Sequence, residues 1–213
     1  VDRRQRQMCI RDRSKDLKRI EEIFKQSILV KQQCLEQGLD SIINIGKISA
    51  MSVMNGKKIM LCGNGGSAAD AQHLAAEMLI RLHPKNNREG VPAIALAQDS
   101  STITACGNDF GFDKLYQRMV LSLGNEGDCL IAITTSGNSK NIILAMKAAQ
   151  KVGIKVFGFL GCGGGEARQF CDEAFIVPSN DTGRIQESHI TAGHALMDYI
   201  EVNLLESGHL HLE

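Results

Sequence analysis

The chain predicts an α/β fold in which a parallel sheet is covered by helices on both faces and preceded by a helical N-terminal extension. Short apolar runs alternate with longer segments of helical periodicity, the pattern of strands joined by crossover helices. Polar, glycine-bearing turns follow two of the apolar runs, at the edge where such sheets hold ligands. At 213 residues, 43% of them hydrophobic, the chain is long enough for one domain with a substantial core.

Helical spacing of Leu17, Ile20, Phe24, Ile28 and Leu35 predicts a helix over about 14–37, with Ser14 as N-cap and Gly38 as stop. Ile42, Ile45, Ile48 and Met51 predict a second over about 39–54, ending at Asn55-Gly56. Two long amphipathic helices are more than a minimal sheet needs, so their stripes pack either on the sheet or on a second subunit. Strands follow at 58–62, 91–97, 128–134, 154–160 and 174–177. Helices are expected from the glycine turn to about residue 81, over 113–123 and 140–152, briefly after Gly161–Gly165, and over 184–205. The segment before 113, ending in GNDFGF, is read as polar and as leading into the helix over 113–123. A single domain over 14–213 results, its N-terminal helices in 14–55 and its α/β core in 56–206.

Residues 1–13 hold five arginines against two aspartates, while the whole chain has formal net charge zero. They are read as a flexible or non-native leader outside the fold. The zero balance gives no basic field for nucleic acid or an anionic membrane. No apolar run approaches the ~20 residues that span a bilayer. The seven cysteines are odd in number, lack a CxxC pair and lie mostly in apolar segments, as expected of buried free thiols in the cytoplasm.

The stretch Cys62–Arg81 runs from a strand through the turn GNGGS into a helix carrying His73 and Glu77, four residues apart on one face. Such a pair on its own is usually a surface contact. The final helix adds Gln186 and His194, eight apart and so on one face, with His189 an alternative to His194. Two polar residues from each helix suffice for a tetrahedral metal site. Thr134–Ser139 (TTSGNS) places four hydroxyls around a glycine at a strand-to-helix turn, which suits a phosphate on a helix N-terminus. Capping would need only Ser139. GNGGSA fits neither the Walker pattern nor GxGxxG, which argues against a nucleotide.

CGNGGSAADAQH-x3-E, GNDFGF, TTSGNS and RIQE-x6-H, in this order, resemble the bacterial phosphoheptose isomerases, which have the sugar-isomerase (SIS) fold. The resemblance covers about 14–206 and implies a SIS-type doubly wound sheet. It implies one zinc ion per subunit on His73, Glu77, Gln186 and His194. It implies substrate contacts from Asn64, Gly65, Gly66, Ser67, Glu77, Asn108, Asp109, Thr134, Thr135, Ser136, Ser139 and Gln186. It also implies a homotetramer with active sites at subunit interfaces. Thr134 departs from the serine common at that position, but keeps the hydroxyl. The implied reaction is isomerisation of sedoheptulose 7-phosphate to D-glycero-D-manno-heptose 7-phosphate, which begins heptose supply for lipopolysaccharide or capsule. Glu77 and His194 are assigned as its acid/base pair, with Glu77 preferred at the C–H proton. Two other SIS readings are a regulator that binds the replication initiator protein and an isomerase of shorter sugar phosphates. The regulators share an AADAQH-like helix but lack the glutamate and the last-helix histidine. The shorter-sugar enzymes would not predict this His/Glu/Gln/His set.

Overall fold

The computed structural model describes residues 3–96 and 99–212, with side chains from residue 13 onward. Its helices are α1 (Arg3–Gln37), α2 (Leu39–Met54), α3 (Gly66–Leu79), α4 (Ser100–Asp109), α5 (Leu115–Leu123), α6 (Lys140–Val152) and α7 (Thr182–Glu206). Its strands are β1 (Ile59–Gly63), β2 (Ala93–Ala95), β3 (Cys129–Thr134), β4 (Lys155–Leu160) and β5 (Glu173–Ile176). They form one parallel sheet in the order β2-β1-β3-β4-β5.

Strand side chains alternate between two cores, as the two-residue period of a strand requires. Ile59, Leu61, Ile131, Ile133, Phe157 and Phe159 face the layer made by α2, α3 and α7. Met60, Cys62, Leu130, Ala132 and Val156 face α5 and α6. Both faces being buried, the strands read as continuous apolar runs. Each large side chain buried this way contributes about 1.5–3 kcal/mol.

The N-terminal helices divide the two packing options between them. In α2, Ile42, Ile45, Ala50 and Val53 join the core, and Gly46 lets α7 come close: a Cβ there would lie 2.4 Å from the Tyr199 ring. In α1, Leu17, Ile20, Phe24, Ile28 and Leu35 stay exposed, while Val30 and Cys34 are buried. The helix starts at Arg3, so Ser14 is interior and is not its N-cap. No glycine or proline lies between Arg3 and Ser14 to stop it. Most of the leader therefore continues α1, and its residues 1 and 2 lie outside the described ones.

Two further expectations change. The polar segment before GNDFGF contains α4, whose N-cap Asp99 accepts a hydrogen bond from the Thr102 amide at 2.7 Å. Its only buried residue is Cys106, so it has almost no apolar stripe to read. Among the cysteines described, Cys34, Cys62, Cys106 and Cys129 are buried free thiols, but Cys162 is exposed, with φ 50°. Burial pushes the Cys62 thiol up to about 12. No described helix is long and apolar enough to cross a membrane.

His189 belongs to the core. It is fully buried among Phe159 and Phe175, with Nε2 3.1 Å from the Leu160 carbonyl and Nδ1 without a partner. Burial lowers its pKa from the ordinary 6.5 to about 4. The unfolded chain therefore binds a proton that the folded chain refuses, throughout the window between those values. Stability is complete above about pH 6.5 and falls as pH drops toward 4, by up to about 3 kcal/mol. Urea denaturation at pH 7.5 and pH 5 should show this loss, and His189→Gln should reduce it. An equal loss in the variant would remove His189 as its source.

Candidate active site

The chain leaves β1 for β2 on one side, and β3 begins the run to β4 and β5 on the other. The turns after β1 and β3 therefore border the crevice at the carboxyl edge where the winding reverses. Each leads into a helix, α3 or α6, and both helix N-termini bring amide groups and the positive end of a dipole to that crevice.

After β1, only glycine fits the backbone. Gly65 has φ 57°, ψ −121°, and a Cβ on Gly63 would lie 2.4 Å from the Ser67 carbonyl oxygen. The turn is tied to its neighbour by a reciprocal pair: Asn64 Nδ2 donates to Asn141 Oδ1 at 2.9 Å, and Asn141 Nδ2 donates to Asn64 Oδ1 at 2.8 Å. From below, the buried Tyr116 hydroxyl donates to the Gly63 carbonyl.

After β3, Ser139 occupies the N-cap position of α6 without making a side-chain cap. Its hydroxyl instead meets that of Thr134 at 3.1 Å, so capping does not account for the hydroxyl cluster. The Ser136 hydroxyl accepts from the Asn138 amide at 3.1 Å. The loop Gly161–Gly165 explains itself here. A Cβ on Gly137 would lie 2.1 Å from the Gly164 carbonyl oxygen, and one on Gly165 would lie 2.7 Å from Gly137. The Ala167 amide donates to the Gly137 carbonyl at 2.8 Å, and the Glu166 amide to Asn138 Oδ1 at 3.0 Å. The two loops are pressed backbone to backbone, which leaves no room for side chains.

The helices bring the metal-capable residues together. His73 Nε2 lies 2.8 Å from His194 Nε2 and 3.4 Å from Glu77 Oε1. The donor atoms of these three residues all lie within 4.8 Å of one another, although His73 and His194 are 121 residues apart. Of the two histidines on α7, this is the one beside α3; His189 faces the sheet. The Gln186 carboxamide lies against the glycine turn, where a Cβ on Gly66 would be 2.5 Å from its Nε2. Ser67 is buried beneath that turn. Asn108 and Asp109 are exposed in the last turn of α4, with Asn108 Nδ2 donating to Asp109 Oδ1 at 2.8 Å.

Three contributors escape sequence reasoning. Asn141, inside α6, carries no motif. Asp70, one turn before His73, keeps Oδ2 buried without a hydrogen bond, and burial raises its carboxyl pKa against the opposing effect of His73. Gly193 precedes His194 and packs on Leu74: a Cβ there would lie 2.6 Å from Leu74 Cδ1. It allows α3 and α7 to approach closely enough for the histidines to meet.

Gly193→Ala tests that approach. Overpacking costs about 1–3 kcal/mol, against about 1 kcal/mol gained in helix propensity, so a net loss of up to about 2 kcal/mol is expected. A crystal structure of the variant should show His73 and His194 moved apart. An unchanged separation would mean that Gly193 does not set it.

The profile of the SIS domain matches residues 22–161. A phosphoheptose isomerase of Clostridium acetobutylicum is 46% identical over 187 residues, covering 87% of this chain and 94% of its own. The structure of a phosphoheptose isomerase from Neisseria gonorrhoeae has 40% identity and a TM-score of 0.82, over 87% of this chain and 98% of that one. One from Francisella tularensis has 36% identity and a TM-score of 0.84, over 88% and 98%. The sheet order, the paired turns and these likenesses agree: the chain belongs to the SIS-domain family and, within it, to the phosphoheptose isomerases.

Proposed function

We propose that this sugar-phosphate isomerase converts sedoheptulose 7-phosphate to D-glycero-D-manno-heptose 7-phosphate in the cytoplasm, supplying heptose for lipopolysaccharide or capsule. The observation that carries the reading is the meeting of His73, Glu77 and His194 within 4.8 Å, in a fold whose paired turns suit a phosphate. The alternative regulator role has no use for a carboxylate and an imidazole so placed.

Aldose–ketose isomerisation moves one proton between C1 and C2 through a cis-enediol and another between the two oxygens. Glu77 takes the C–H proton, and His194 serves the oxygens. His73, 3.4 Å from the Glu77 carboxylate, orients it. The hydroxyls of Thr134, Thr135, Ser136 and Ser139 hold the phosphate with the amides of α6, using neutral donors and the helix dipole. Asn64, Gly65, Gly66 and Ser67 shape the turn along the sugar, while Asn108, Asp109 and Gln186 offer donors and acceptors to its hydroxyls. Anchoring the far end spends phosphate binding energy on positioning C1 and C2.

The donor set fits zinc, since two imidazoles and a carboxylate are common zinc ligands and these already converge. His73, Glu77 and His194 would hold one ion per subunit, with Gln186 as the fourth ligand. When bound, zinc supplies Lewis-acid polarisation of the sugar carbonyl.

The exposed apolar stripe of α1 supports assembly as a homotetramer with the active sites at subunit interfaces.

Three experiments test these proposals. Incubation with sedoheptulose 7-phosphate, with and without chelator, should yield the aldose only in the metal-replete sample. Glu77→Gln and His194→Gln should each lower kcat by roughly 10²–10⁴-fold while leaving the fold intact. Near-full activity in either folded variant would cancel that residue's assignment, and full activity in metal-free protein would cancel zinc. For the assembly, light scattering should give four times the chain mass, and Phe24→Glu should lower it. A monomer at micromolar concentration would rule the tetramer out.

A further inference from the structure

We infer that Arg88 and Glu201 are positioning residues that fix the Glu77 end of α3 against α7. The inference rests on the reading of His73, Glu77 and His194 as the reacting cluster.

Arg88 and Glu201 are 113 residues apart and almost wholly buried, with side-chain exposures of 0% and 1%. Arg88 Nε donates to Glu201 Oε2 at 2.5 Å. The other guanidinium nitrogens reach the end of α3. Nη2 donates to the carbonyl of Glu77 itself at 3.0 Å, and Nη1 donates to those of Met78 at 3.0 Å and Glu89 at 2.8 Å. Glu77 and Met78 are among the last four residues of α3, whose carbonyls have no partner within the helix. A buried cation at that end also meets the negative pole of the helix.

On the other side, Glu201 lies seven residues after His194, two turns along the same face of α7. Its second oxygen accepts from Asn86 Nδ2 at 2.7 Å. A closed circuit results: Glu77 main chain, Arg88, Glu201, α7, His194, His73 and back to Glu77. The C-terminal segment covers it, with Leu210 buried and Leu212 bridged to Arg88.

A pair needed only for stability has a simpler substitute. Apolar residues of similar volume often hold two helices as well as a buried ion pair, without its desolvation cost. They cannot bind the Glu77 carbonyl. That difference separates a positioning role from a structural one.

The test compares wild type with Arg88→Met/Glu201→Leu and with Arg88→Lys. The double variant should remain folded at the assay temperature, with a lowered melting temperature because the Glu77 carbonyl loses its partner, while kcat falls about tenfold or more and KM for the sugar phosphate holds. Zinc affinity, measured by chelator competition, should weaken about tenfold, within the range known for residues supporting metal ligands. A crystal structure should show His73 and His194 farther apart than in a wild-type crystal of the same metal content. Arg88→Lys keeps the charge but not the fork, and should show smaller losses of the same kind if the double variant does not fold. A folded variant of either kind with wild-type kcat, zinc affinity and histidine separation overturns the inference. Wild-type protein that neither binds zinc nor turns over the sugar phosphate counts against the proposed function instead. The histidine separation then decides the positioning claim by itself.

Discussion

Between β1 and β3 the chain reverses the direction in which it adds strands, and the turns after both border one crevice at the carboxyl edge. Much of the site depends on that reversal. It places two helix N-termini side by side, so that amide groups from α3 and α6 serve the same region without a lysine or arginine in the turns. The Asn64–Asn141 pair then holds the turns to each other, at the cost of two side chains that a ligand could otherwise use.

The helix pair α3 and α7 solves a different problem. Imidazoles and a carboxylate must meet at hydrogen-bond distance although they come from helices far apart in sequence. Gly193 removes the side chain that would hold the helices apart, and Leu74 fills the space it leaves. Below the cluster, Arg88, held by Glu201, supplies a polar contact where packing alone would leave the Glu77 carbonyl unpaired. Small residues and buried charge act together here, one setting distance and the other alignment.

The sheet was legible in the sequence because its strands are buried on both faces and read as unbroken apolar runs between turns. His73 and Glu77 were legible from their spacing on one helix. Spacing could not choose between His189 and His194, because both lie at helical intervals from Gln186. The choice depends on which face of α7 meets Phe159 and Phe175, a tertiary fact. Helix α4 stayed hidden because one buried cysteine makes no stripe. The Arg88–Glu201 pair stayed hidden because nothing local marks partners 113 residues apart. The start of α1 was missed by trusting Ser14 as a cap when no residue upstream breaks the helix.

The contact between Gly137 and the Gly161–Gly165 loop has a consequence for how this chain can vary. Main-chain atoms fill the interface from both sides, and Gly137, Gly163, Gly164 and Gly165 all have φ values that disfavour other residues. Neither Gly137 nor Gly165 can accept a side chain while the opposite loop keeps its path. The two segments therefore form one inheritable unit, and a graft of the TTSGNS turn into another scaffold would have to carry its glycine partner with it.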